Sequence, residues 1–289
     1  MIAYRWSGLA YVVWAMRVDL HIHSSRSDGK YSPSKIVEYS VKNRLNMIAL
    51  TDHDTIDGLR EAKKAVQLFG SIEFVSGVEF STWLEHDELH ILGYGIDETH
   101  PALVKLLDMA QEFRKKRIDH LLKQLSAIGI QISVEEVKHK HHSASLGRMH
   151  VACLLIERGY VKTIREAFDR YLSYEANVIE PLTSDFIPSR QAVEAILEAG
   201  GIPVLAHPTV DLFDHYIDRF MTWGLQGVEV FKNTRASIEE YYLETVVRDK
   251  GLFLTGGSDW HGYHITRPLG SFYVESTQIQ PFLKAVRLS

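Results

Sequence analysis

The segment VDLHIHSSRSDG, residues 18–29, sets His21 and His23 one residue apart after an apolar run and places Asp28 five positions beyond the second. Side chains alternate across an extended strand, so the two imidazoles share a face while Leu20 and Ile22 occupy the other. Neutral imidazoles converging from a strand end can form half of a divalent-metal site. Further along lie ALTDHDT with His53, GVEFS with Glu79, LHILGY with His90, VLAHP with His207 and GGSDWHG with Asp259 and His261. Taken singly, each has a structural alternative: Asp28 as a turn former beside Gly29, Glu79 as a cap, His90 as a core histidine, His207 as a helix-start residue. Six histidines and three carboxylates falling at one end of strands are hard to explain by packing, because buried charges and imidazoles have to be paired or coordinated.

The elements that must position these groups follow from hydrophobic periodicity. From Arg17 to about Ile96, short apolar runs alternate with amphipathic stretches: strands over 18–22, 46–50, 72–80 and 89–94, helices near 33–44 and 57–69. The rhythm returns after Pro188, with strands over 202–206, 227–231, 252–257 and 271–274 and helices near 190–199, 214–223 and 236–249. Such alternation predicts an α/β fold of βα units on a parallel sheet, whose C-terminal strand ends build the site. Between 101 and 180 the pattern changes. Leu103, Leu106, Leu107, Ala110, Phe113, Ile118, Leu121, Leu122, Leu125 and Ile128 keep one helical face apolar up to Gly129, and shorter helices are expected over 148–158 and 163–172. The expected organisation is a barrel-like domain over 17–100 and 181–289, an all-helical insertion over 101–180 and an N-terminal extension over 1–16. That extension is apolar but too short to span a bilayer, and Met16 makes a natural start.

With 289 residues, 45% of them hydrophobic, the chain can bury a large core. A formal charge of −5 argues against nucleic-acid binding by bulk charge, so attraction of an anion has to come from the site itself. The single cysteine, Cys153, excludes an internal disulfide framework and a thiolate metal cluster, and fits a reducing cytoplasm. No run reaches membrane length, and no obligate protein partner is evident.

The segments DLHIHSSRSDG, ALTDHDT, GVEFS, LHILGYGID, VLAHP and GGSDWHG resemble, in order, the motif series of the polymerase-and-histidinol-phosphatase (PHP) family of metal-dependent phosphoesterases. The insertion, with LGRMHVA and YVKTIREAFDRYL, is similar to the stand-alone bacterial branch, which acts on 3′,5′-nucleoside bisphosphates and short oligonucleotides. The resemblance implies a distorted (βα)7 TIM-like barrel with a trinuclear metal centre. By position, His21, His23, Glu79 and Asp259 would hold the first ion, Asp28, His53 and His261 the second, and Glu79, His90 and His207 the third. Two to three divalent ions are expected, with manganese the family habit; the donor types also suit iron or zinc. Three such ions against three carboxylates leave a positive pocket, in which a metal-bridging hydroxide would attack phosphorus. Asp259, His53 and Glu79 are the expected catalytic groups.

Arg148, in LGRMH, is the expected substrate-binding residue, since a guanidinium grips phosphate through parallel donors. In the family it resembles, proline usually stands where this chain has Met149. Asp52 and Asp54 are expected to orient imidazoles, although Asp54 serves a capped turn equally well. Lys232, Asn233 and Arg235 are read as a solvated loop, His139, His141 and His142 as a polar linker, and Phe168, Tyr171 and Tyr174 as core. The expected substrate is a small nucleotide, with short 5′-phosphorylated single strands as a further class. The alternatives are a phosphatase for another small phosphomonoester, such as histidinol phosphate, or a non-catalytic binding module.

Overall fold

A computed structural model of the chain describes residues 3–6, 9–12, 15–141, 143, 145–232 and 235–287. Strands β1 (Ala3–Trp6) and β2 (Leu9–Val12) pair antiparallel as a separate ribbon. The main body then runs β3 (Arg17–Asp19), α1 (Pro33–Lys42), β4 (Met47–Leu50), α2 (Leu59–Phe69), β5 (Glu73–Leu84) and β6 (Asp87–Tyr94). The helical stretch holds α3 (Pro101–Ala127), α4 (Val134–His141), α5 (Arg148–Glu157) and α6 (Ile164–Ala167), which continues as a π-helical turn over Phe168–Leu172. The chain returns through β7 (Ile187–Pro188), α7 (Ser189–Glu198), β8 (Ile202–Leu205), α8 (Val210–Thr222), β9 (Gly227–Phe231), α9 (Ser237–Asp249), β10 (Phe253–Gly256), β11 (Val274–Glu275) and α10 (Gln280–Val286).

The sheet order is β10-β9-β8-β6-β5-β4-β3-β11, with β7 on β5. The chain beyond β3 reaches the chain at β10 through Leu20 N–H to Gly256 O, 3.3 Å, and a parallel bridge between Ile22 and Trp260, so seven strands form a nearly closed barrel. One expectation fails: β6 runs antiparallel to both β5 and β8. Only Glu85 and His86 separate β5 from β6, too short a connection for a parallel crossover, so the chain turns back as a hairpin. His90 therefore lies inside a strand rather than at its C-terminal end. The expected strand over 271–274 shrinks to Val274–Glu275, an antiparallel edge on β3.

Local chemistry accounts for the helix ends nearest the site. Ser32 caps α1 by accepting from Lys35 N–H, with Pro33 in the first turn. Helix α3, about 40 Å long at 1.5 Å per residue, joins two cores. Leu103, Leu106, Leu107 and Ala110 pack into the barrel core, whereas Ile118, Leu121, Leu122 and Leu125 belong to a second cluster with Val151, Leu155 and Leu172. The stretch read as a polar linker is helical as far as His141; His142 lies outside the described residues.

Candidate metal centre at the barrel mouth

Side-chain alternation past β3 buries Leu20 and Ile22 on one side and turns His21 and His23 to the other, their Nε2 atoms 3.1 Å apart. The approach requires glycine at two points. A Cβ at Gly257 would lie 2.4 Å from His21 N and Cβ, and one at Gly29 would lie 2.2 Å from His23 O. Glu79, fully buried on β5, stands at the centre. Its Oε1 is 2.9 Å from His90 Nδ1 and 3.1 Å from His207 Nε2. Its Oε2 is 3.2 Å from both His21 and His23 Nε2 and 3.1 Å from His53 Nδ1. Asp259 Oδ1 lies 3.2 Å from His23 Nε2 and 3.5 Å from His21 Nε2. Asp28 Oδ1 lies 3.3 Å from His261 Nε2, and Asp28 Oδ2 lies 4.0 Å from His53 Nε2. All nine groups singled out from the sequence meet in one place.

The donors fall into four overlapping sets: His23, Asp28, His53 and His261; His21, His23 and Asp259; His21, Glu79 and His207; His53, Glu79 and His90. The first two nearly reproduce the expected groups, whereas the expected Glu79–His90–His207 set divides in two around the shared carboxylate. Four buried atoms of the cluster, His23 Nδ1, Asp28 Oδ1, His53 Nδ1 and Glu79 Oε2, have no hydrogen-bond partner. Donor separations of 3.1–3.5 Å around His21 and His23 are those expected of groups sharing one ion at roughly 2.0–2.2 Å. Buried, orphaned and convergent donors of this kind fit divalent cations.

The electrostatics agree. Burial alone would push Glu79 up, yet the imidazoles of His53, His21 and His90 hold its carboxyl well below the usual range. Burial opposes charge on His23, but Asp259 and Glu79 more than offset it and raise this imidazole to about 10. Burial likewise opposes charge on His90, which Glu79 and Glu88 raise to about 9. Without a cation, protons on imidazole neutralise the buried carboxylates.

The sequence reading missed Glu229. This buried carboxylate on β9 accepts from His21 Nδ1–H at 2.9 Å and from His207 N–H at 3.0 Å. A signal was present, since Gly-Val-Glu occurs both at 77–79 and at 227–229. Asp52 and Asp54, expected to orient imidazoles, do something else. Asp52 accepts from Ser24 N–H, Ser24 Oγ–H and Ser27 Oγ–H at 2.6–2.7 Å and so shapes the loop leading to Asp28. Asp54 accepts from Ser81 N–H at 2.9 Å and from Arg114 Nε–H at 2.5 Å. Lys232 is not solvated as expected, because its Nζ lies 3.0 Å from Asp259 Oδ2 and draws the side chain inward. Arg235 donates to Pro208 O and Glu229 O, while Asn233 lies outside the described residues.

The insertion closes over this mouth. Ser145 Oγ donates to His53 O at 2.5 Å, Ser143 Oγ to Arg26 O at 2.8 Å and His150 Nε2 to Ser27 O at 3.0 Å, tying Ser143, Ser145 and His150 to the loops that carry Asp28 and His53. Arg148 pairs with Glu88 at 2.7 Å and lies 4.8 Å over the ring of Tyr174. A cavity of about 220 Å³ opens between the two bodies, walled by Asp28, His53, His90 and His261 at the cluster and by Phe168 and Tyr174 in the insertion. Phe168 and Tyr174, read as core, do pack against the second hydrophobic cluster and also line the cavity.

A family model for the PHP domain matches residues 19–179. Over 250 residues the chain is 34% identical to the 5′-3′ exoribonuclease of Haemophilus influenzae, covering 85% of this chain and 90% of that protein. Over 252 residues it is 33% identical to the 3′,5′-nucleoside bisphosphate phosphatase of Chromobacterium violaceum, covering 84% and 87%. Among solved structures, a Chromobacterium violaceum protein described as an amidohydrolase, with bound sulfate and no metal, aligns with a TM-score of 0.85 and 29% identity over 94% of this chain and 96% of that one. The motif order, the barrel and these likenesses agree, and the chain belongs to the PHP family of metal-dependent phosphoesterases.

Proposed function

We propose that this phosphoesterase removes phosphate from small nucleotides such as 3′,5′-nucleoside bisphosphates and also acts on short 5′-phosphorylated oligonucleotides. The carrying observation is the position of Glu79, whose two oxygens lie 2.9–3.2 Å from the imidazoles of His21, His23, His53, His90 and His207. Two relatives named for nucleotide and RNA hydrolysis support the substrate class. The sulfate in the aligned structure is a tetrahedral oxyanion with the shape of phosphate.

In this reading His21, His23, Glu79 and Asp259 hold one ion, Asp28, His53 and His261 a second, and Glu79 with His90 and His207 a third. Two to three manganese ions are proposed; the donors suit iron or zinc as well. When bound, such ions polarise phosphoryl oxygens and lower the pKa of water. In the same reading Asp259 orients the attacking water as well as holding an ion, supported by Oδ1 facing the cluster and Oδ2 lying 3.0 Å from Lys232 Nζ. Arg148 presents its remaining guanidinium N–H groups to the substrate while Glu88 fixes the side chain. The single cysteine favours a cytoplasmic setting, and no described helix is long and apolar enough to cross a membrane.

Phosphate release by the manganese-loaded protein tests this on adenosine 3′,5′-bisphosphate, AMP, histidinol phosphate and a 5′-phosphorylated oligonucleotide. Highest kcat/KM on the bisphosphate is expected. Preference for histidinol phosphate, or no turnover by protein with bound metal, would overturn the reading.

A further inference from the structure

Asp259 divides its carboxylate between two sets of neighbours. Oδ1 lies among the imidazoles of the cluster, 3.2 Å from His23 Nε2, 3.5 Å from His21 Nε2 and 3.6 Å from His261 Nδ1. Oδ2 instead accepts from Lys232 Nζ at 3.0 Å. Among the described residues Asp259 is the one hydrogen-bond partner of the Lys232 side chain, which is only 17% exposed.

The backbone around Asp259 is fixed independently of that contact. Ser258 N–H and Oγ–H both donate to the fully buried Asp19, at 2.9 and 2.7 Å. Trp260 N–H reaches His21 O at 3.3 Å, and His23 N–H reaches Trp260 O at 3.0 Å. His261 Nδ1–H donates to Asp259 O at 2.9 Å. Together these hold Asp259 at φ +52°, a left-handed conformation that a residue with a side chain keeps only where its surroundings impose it. They leave open the rotation of the carboxylate about its own side-chain bonds.

The sheet delivers Lys232 to that carboxylate. The register between β9 and β10 shifts between Thr255 and Gly256, so that Gly256 pairs with Phe231, and Gly257 N–H donates to Phe231 O at 3.1 Å. The chain leaving β9 at Lys232 therefore starts beside the chain that leaves β10 toward Asp259.

We propose that Lys232 is a positioning residue: its ammonium holds Oδ2 of Asp259, so that Oδ1 alone serves the metal centre. The assignment rests on the reading of Asp259 as a metal ligand given above. A hydrogen bond between two charged groups is about twice as strong as a neutral one, so it selects one carboxylate rotation where the backbone selects none.

The test compares wild type, Lys232→Met, Lys232→Arg and Lys232→Ala on adenosine 3′,5′-bisphosphate with manganese. The cobalt-loaded proteins are compared by visible absorption, which reports the number and arrangement of ligand atoms. Loss of a charged hydrogen bond is expected to lower kcat of Lys232→Met about tenfold to a hundredfold with KM within about twofold. Its cobalt spectrum is expected to change, because Oδ2 becomes free to ligate. Lys232→Arg keeps a charged donor and should retain the wild-type spectrum and most of kcat. Added propylammonium should raise kcat of Lys232→Ala, whereas tetramethylammonium, equal in charge and without an N–H, should not. Should Lys232→Met fail to fold, Lys232→Ala with the two ammonium ions decides by the same readings. Wild-type kcat and spectrum in Lys232→Met, or an equal response of Lys232→Ala to both ions, overturn the assignment and leave the phosphatase reading standing. A raised KM with kcat unchanged also overturns it, by putting the ammonium on the substrate. Cobalt binding by wild type without turnover would sink the phosphatase reading and leave the spectra to decide on Lys232; no cobalt bound by wild type would overturn both.

Discussion

Glu229 Oε1 accepts the Nδ1–H of His21 at 2.9 Å, and that contact turns Nε2 of the imidazole toward Glu79, His23 and Asp259. The other oxygen, Oε2, holds the backbone N–H of His207, a residue at φ +32°, so one carboxylate sets two arms of the cluster. Carboxylates behind ligating histidines fix the tautomer and raise ligand basicity. Glu229→Gln removes the charge and forces one of the two contacts to break. A loss of about 10–100-fold in metal affinity or kcat/KM is expected, read by metal titration and steady-state kinetics. Unchanged values would show that the His21 tautomer is set elsewhere.

Metal binding should release protons. In the metal-free protein His23 is raised to about 10 and His90 to about 9, so both carry protons at pH 7.5. Ligation requires neutral imidazole. Calorimetry in two buffers of different ionisation enthalpy should therefore find more than one proton released per chain, with affinity rising from pH 7 to 9. The sign for folding is the reverse. Raised imidazoles stabilise the metal-free fold below their unfolded value of 6.5, and that contribution is lost as pH climbs through 9 to 10.

The link between α3 and the barrel is a buried ion pair. Arg114→Met strands the Asp54 carboxylate beside Ser81 N–H, and breaking such a pair costs about 3–5 kcal/mol. The double variant Arg114→Met, Asp54→Asn should recover part of that loss in thermal denaturation, because the buried carboxylate is neutralised together with its partner. Strictly additive destabilisation would argue against a coupled pair.

His150 supplies a pH-dependent latch. Burial holds it below its ordinary 6.5, Nδ1 accepting from Gly147 N–H and Nε2 donating to Ser27 O. Below pH 6.5 the unfolded chain takes up a proton that the folded chain resists, so stability falls with acidification. His150→Asn keeps an acceptor near Gly147 and cannot titrate. Between pH 7.5 and 5.5 it should lose less stability than wild type, by up to about 1.4 kcal/mol per pH unit. Parallel denaturation curves across that range would remove His150 from the linkage.

Much of this site was legible because strand alternation and ligand type are local properties. His21 and His23 share a face in any extended chain, and the strands over 47–50, 202–205 and 227–231 read directly from their apolar runs. Glu229 was hidden within such a run, since GVEVF looks like a wholly buried strand and only its distant partners reveal a role for the carboxylate. The antiparallel course of β6 was hidden for a related reason: periodicity carries no direction.

The sequence by itself determined the candidate donors, the βα rhythm and the helical character of residues 101–180, because each rests on residue type and spacing within a few turns or strands. The tertiary structure alone decided that Glu79 would touch five imidazoles, that Glu229 would stand behind His21 and that Arg114 and Arg117 would share Asp54. Those outcomes depend on contacts between residues far apart in the chain, which close only when the barrel curls and the insertion folds over its mouth.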